Sequence, residues 1–168
     1  MNIFALDNNP RIAAEYHCDK HVVKMILESA QLLSTAHRVL DGDELADFNR
    51  MYKATHKNHP SAIWVRASAA NYEWTWELLV WLCKEYTYRY GKVHKVERVK
   101  LMILLGKPPR NISWDTGSAV SDFALAMPDD CKFSDSVESY RAYYNKHKHT
   151  IAKWNKTREA PYWFNPCI

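Results

Sequence analysis

His17, Lys20, His21, Lys24 and Glu28 fall within the single stretch HCDKHVVKMILE. An imidazole and a carboxylate at hydrogen-bond distance can exchange protons, and two ammonium groups beside them suit phosphate oxygens. Whether they act together depends on the backbone that carries them. On a helix at about 100° per residue, with His17 at zero, Lys20 lies at about 300°, Lys24 at about 340°, Glu28 at about 20° and His21 at about 40°. Gln31, Thr35 and Arg38 fall in or beside the same sector. The rest of the circumference is mostly apolar, from Cys18, Val22 and Val23 through Met25, Ile26 and Leu27 to Leu32 and Leu33. A helix so apolar is central to its fold, and its narrow polar stripe is expected to border a cleft.

The same residues fit other chemistries. His17 and His21, at i and i+4, have the spacing of a zinc-binding helix. Two ammonium groups beside them repel a divalent cation, so no metal is expected there. Asp19, near 200°, faces away and is expected to make a structural contact. The plain alternative is a Lys24–Glu28 ion pair with both histidines on an ordinary surface.

Further basic residues sit among aromatics. THKNHP offers His56, Lys57, Asn58 and His59 before a helix start, where backbone N–H groups already favour anions. EYTYRYGKVHK contributes Arg89, and YRAYYNKHKHTIAKWNKTR contributes Arg141, Lys146 and Lys148. Such mixtures grip phosphates and stack on bases, or else form a solvated basic helix around an aromatic core. The tail APYWFNP is expected to pack back on the domain.

The elements that must position these residues are helical. Asn9 as N-cap and Pro10 at the first helical position start a long helix expected to reach about Leu40. DGDELADFN is expected to be a loop or short turn. A second long helix follows THKNHP and stops at Gly91, and a third covers VERVKLMILL to Gly106. KPPRNISWDTGSAV has loop composition. Asp135 and Glu138 have capping-box spacing for a last helix running to about Trp154. The fold class expected is mostly α: one domain over 1–168, about four main helices and a short extended N-terminal segment.

The 168 residues are 47% hydrophobic and 25% charged, with a formal charge of +4. No window approaches the roughly 18 apolar residues of a membrane span. The start MNIFALDNNP lacks a signal-peptide pattern, so a cytoplasmic protein with no membrane partner is expected. Cys18, Cys83, Cys131 and Cys167 form no CxxC pair, so reduced, buried thiols are expected, with no zinc framework and no cofactor.

KHVVK (Lys20–Lys24) and KNHP (Lys57–Pro60), with the short segment leading into a long helix, resemble motifs of the pyrimidine-dimer DNA glycosylase family, the endonuclease V type. The likeness extends over residues 1–95. It implies a small α domain that cuts an N-glycosidic bond in DNA and cleaves the strand by β-elimination. By resemblance, the Met1 α-amine attacks the sugar carbon and forms a Schiff base, while Lys20 and Lys24 hold phosphates. An α-amine has a low enough pKa to be neutral near neutral pH. The family's helix carboxylate corresponds to His21, so the proton-transfer candidates are His17, His21 and Glu28. DNA is the expected partner, with His56, Lys57, Asn58, His59, Arg89, Arg141, Lys146 and Lys148 as further contacts. A nucleotide- or DNA-modifying transferase and a non-catalytic nucleic-acid-binding or host-interaction protein are the alternatives.

Overall fold

Local capping rules account for several element ends. Asn9 Oδ1 accepts from Arg11 N–H at 2.9 Å, and Pro10 opens helix α1, Pro10–Tyr16. Asp135 accepts from the N–H groups of Val137 and Glu138, opening the last helix. Gly91 ends the longest apolar pattern in a left-handed conformation (φ +64°), with its N–H on Thr87 O. The computed structural model describes residues 1–114 and 119–166. It is mostly α, as expected, and shows no strand among those residues. The central part of the loop expected from KPPRNISWDTGSAV, and Cys167, lie outside the described residues.

Among the described residues eight α-helical segments follow in order: α1, α2 (Asp19–Asp41), α3 (Asp43–Phe48), α4 (Pro60–Val65), α5 (Ala69–Tyr90), α6 (Lys95–Arg98), α7 (Leu101–Leu104) and α8 (Ser136–Tyr143). Only α2 and α5 are long. They pack on each other, and α1 packs on α5. Val22, Met25, Ile26, Leu32 and Leu33 of α2 and Leu78, Leu79 and Leu82 of α5 are fully buried. Each such side chain contributes about 1.5–3 kcal/mol of transfer free energy.

Several elements differ from the sequence expectation. The first long helix is two, because the chain turns extended at His17 (ψ 134°) and Cys18 (ψ 160°). Arg89 takes up the carbonyls this break frees: Nη1 donates to His17 O at 2.8 Å and Nη2 to Glu15 O at 2.9 Å. Asp19 N–H donates to Lys153 O. The second long helix is also two, α4 and α5. Ser68 caps α5 through its Oγ, Ala69 N–H donates to Ser113 O, and Asn71 Nδ2 reaches back to Trp64 O.

DGDELADFN contains the short helix α3 rather than a loop alone. Left-handed Lys100 (φ +61°) splits the third expected helix into α6 and α7. Gly106 then passes so close to Trp76 that an added Cβ would lie 3.0 Å from its ring. The last helix ends short of Trp154, at a π-helical turn over Tyr144–Lys148. Beyond it, Trp163 and Phe164 pack on Tyr16, Tyr144 and Trp154, closing the tail over the core as expected.

Cys18, Cys83 and Cys131 are free and buried. Among the described residues, no helix is long and apolar enough to cross a membrane.

Candidate functional site

The N-terminal segment runs buried across the domain: Ile3, Ala5 and Leu6 are fully enclosed. Its first two residues meet the polar stripe of α2. Asn2 N–H donates to Glu28 Oε2 at 2.9 Å, and the Met1 α-amine lies 3.8 Å from the same oxygen. Lys24 Nζ stands 3.3 Å from Glu28 Oε1. Glu28 therefore gathers an α-amine, a backbone N–H and an ammonium on one carboxylate. The Met1 side chain is 3% exposed, whereas the residue as a whole is half-buried. Its accessible surface thus lies on its backbone atoms.

Asn2 fixes this geometry. Its Oδ1 accepts from the N–H groups of Ile3 (2.7 Å) and Phe4 (3.2 Å), while Nδ2 donates to Ala126 O at 2.9 Å. Phe4 has φ +46°, a left-handed conformation costing about 1–2 kcal/mol for a residue with a Cβ. Its ring stacks on His21 at 4.5 Å and on Tyr143 at 5.8 Å.

The loop before α4 closes on the same place. Thr55 N–H donates to Thr35 Oγ1 of α2 at 3.2 Å, and His56 is held left-handed at φ +48° with its Nδ1 2.7 Å from Thr55 Oγ1. His59 caps α4: its Nδ1 accepts from Ser61 N–H at 3.1 Å, which assigns the ring proton to Nε2. Burial lowers the His59 pKa, the positive N-terminus and His56 lower it further, and Glu28 opposes them. Amine, carboxylate and imidazole thus share one electrostatic neighbourhood. Lys57 and Asn58 are exposed beside it, and Arg66 holds the loop through Lys57 O.

His17 and His21 belong to the core rather than to an open stripe. His17 is not on the α2 stripe, because the chain breaks there. It is fully buried with Nδ1 2.6 Å from Ala13 O, and burial pushes its pKa down to about 4. His21 is on α2 but buried, with Nδ1 2.5 Å from Tyr144 OH. Burial, then the charges of His17, Lys148 and Lys24, push it down to about 3. Both are neutral core groups, not proton carriers on an open stripe. Of the proton-transfer candidates, Glu28 alone meets the amine directly.

The expected phosphate contacts divide as well. Lys20 and Lys24 are exposed, and Lys20 pairs with no carboxylate among the described residues. Lys148 lies over the Tyr143 ring at 4.7 Å. Arg89, expected to face DNA, is buried and fully engaged with Glu85, Asp19 and the two carbonyls of the helix break. Arg141 is likewise structural, bonded to Leu6 O, Asp7 and Glu138. Lys146 is drawn to Asp130, donating to its carbonyl at 2.5 Å. Asp19, expected to serve structure, accepts from Arg89 and from Asn155 N–H.

Asn2, the strained Phe4 and the Ala126 carbonyl were not among the sequence candidates. The one local signal was Asn2 itself, whose short amide favours turns onto its own backbone. Comparison of the chain with protein-family models, curated proteins and solved structures gives no significant match.

Proposed function

We propose that this protein is a DNA N-glycosylase with lyase activity that uses its N-terminal amine as nucleophile and Glu28 as the proton-transfer group. The observation that carries the reading is the Met1 amine 3.8 Å from a buried carboxylate that also fixes Asn2. Carboxylates beside amines serve this chemistry by taking the ammonium proton, which frees the lone pair for attack. The neutral amine attacks C1′ of the target nucleotide, the N-glycosidic bond breaks, and the base departs with the bond's electron pair and the proton that Glu28 took from the ammonium, which returns Glu28 to its carboxylate form. Opening of the sugar ring gives an imine between Met1 N and C1′. Loss of a C2′ proton to Glu28 then expels the 3′ phosphate by β-elimination, and water releases the protein.

Lys20, Lys24 and Lys57 are exposed, with Lys24 3.3 Å from Glu28, and such ammonium groups suit the flanking phosphates. His59, with its Nε2 proton, suits a hydrogen bond to a sugar or phosphate oxygen. The resemblance of KHVVK and KNHP to the pyrimidine-dimer glycosylases supports the same assignment, with Glu28 two helical turns beyond the family's carboxylate position. The departure is tolerable because the Met1 amine meets Glu28, whereas His21 lies under the Phe4 ring of the same segment.

Sodium borohydride trapping on abasic and ultraviolet-irradiated DNA tests the reading. The expected result is a covalent adduct on the Met1 nitrogen, identified by peptide mass. It should disappear when residues are appended before Met1 and fall at least about a hundredfold in Glu28→Gln. Salt-sensitive DNA binding with no adduct on either substrate would replace the glycosylase by a non-catalytic binder.

A further inference from the structure

A second cluster of chemically capable side chains plays no part in that reaction. After Tyr143 the last helix widens into the π-helical turn Tyr144–Lys148, a rare winding often found at functional sites. The turn keeps Tyr144 in the core and presents His147 to the segment Asp129–Cys131, itself a single 3₁₀ turn. His147 Nε2 lies 3.2 and 3.1 Å from Asp130 Oδ1 and Oδ2. Cys131 Sγ lies 3.6 Å from Asp130 Oδ1, and the three donor atoms all fall within 4.8 Å of one another. Cys131 is buried while Asp130 and His147 are open to solvent, so the thiol approaches from the protein side.

The S···O and N···O separations are close to those of a coordination sphere. Zinc bonds of about 2.3 Å to sulfur, 2.0–2.1 Å to nitrogen and 2.0–2.2 Å to oxygen, arranged tetrahedrally, place S···O at about 3.6 Å and N···O at about 3.4 Å. A His–Asp hydrogen bond explains one of the observed edges. A weak hydrogen bond from the Cys131 thiol to Asp130 Oδ1 holds the second edge, so all three donor groups stand together before any ion binds.

We propose that Asp130, Cys131 and His147 bind one zinc-class divalent cation, with water in the fourth position. Hard cations that take only oxygen ligands do not fit a sulfur–nitrogen–oxygen set. On binding, the thiol proton is released to solvent and the sulfur–metal bond forms, with no change of oxidation state. Lys146 is the built-in competitor: its Nζ stands 3.6 Å from Asp130 Oδ2 and must swing away on its exposed stem. The ion would tie the segment around residue 130 to the last helix. The same loop supplies Ala124 O to Tyr140 OH and Ala126 O to the Asn2 side chain, so metal binding would steady the anchor of the N-terminus. The site rests on its own geometry and stands apart from the glycosylase reading.

Titration of chelator-treated protein with Co²⁺, then Zn²⁺, decides the matter. One equivalent of Co²⁺ should give a thiolate-to-metal charge-transfer band that Zn²⁺ abolishes, and Zn²⁺ should raise Tm. Cys131→Ser should lose the band, and His147→Ala, a change at an exposed position, should weaken Co²⁺ binding by at least about tenfold. Lys146→Ala should tighten it. Absence of the band in the unmutated protein, its persistence in Cys131→Ser, or unchanged affinity in His147→Ala would overturn the assignment.

Discussion

Acidification should unfold this protein through two buried histidines. His17 and His21 have folded pKa values of about 4 and about 3, against 6.5 for an unperturbed imidazole. Burial is the first cause of both shifts. The charged groups that act on them are Arg89 and Glu85 from α5, Lys24 from α2 and Lys148 from the last helix. Because both folded values lie below the unfolded one, the unfolded chain binds these protons more tightly. The stability is complete above pH 6.5 and is lost as pH falls toward 4 and then 3. At about pH 5, each histidine costs the folded state about 2 kcal/mol relative to neutral pH, and the pair about 4 kcal/mol. That is a large part of a typical total of about 5–15 kcal/mol. His37, His59 and His94 shift in the same direction, so the loss should be no smaller. Urea unfolding at about pH 7.5 and about pH 5, at fixed ionic strength and followed by tryptophan fluorescence, measures it. His17→Asn and His21→Asn each keep a group near the Nδ1 position without the titration, and each should remove about half of the pH dependence. A change below about 1 kcal/mol between the two conditions, or full pH dependence retained in both variants, would refute the reasoning.

Two further outcomes follow from particular contacts. Arg89→Met leaves Asp19 and the carbonyls of Glu15 and His17 without their guanidinium, and should lower unfolding free energy by about 3–5 kcal/mol in urea melts. If the proposed DNA surface is right, Lys20→Ala and Lys24→Ala should each reduce the slope of log affinity for double-stranded DNA against log salt by about one, and unchanged slopes in both would remove the α2 stripe from that proposed surface.

What could be read from the sequence divides along the line between local and tertiary causes. Asn9, Asp135 and Gly91 end their helices through bonds to residues a few positions away, so their roles follow from residue type and order. The break between α1 and α2 has no glycine or proline to announce it. It exists because Arg89, seventy-two residues beyond His17, donates to the carbonyls that the break frees. An unbroken helix was therefore the natural expectation, and it wrongly put His17 on the stripe. Lys20, Lys24 and Glu28 kept their relation because all three lie within α2, where an angular argument remains valid.

Periodicity also could not separate the stripe into an open and a closed part. His21 and Glu28 share a face, but Phe4 and Tyr144 cover the first, while the chain start delivers charge to the second. That delivery depends on Asn2, which bonds its own backbone, Glu28 and a carbonyl 124 residues away. The cation ligands pose the same problem, since Asp130 and Cys131 meet His147 only through a π-helical turn that no spacing motif encodes. In both places the chemistry depends less on which residues are present than on how a short irregular segment is held. The loop that carries Ala124, Ala126 and Asp130 connects the two, so a change there should disturb the amine's position and the cation's ligands together.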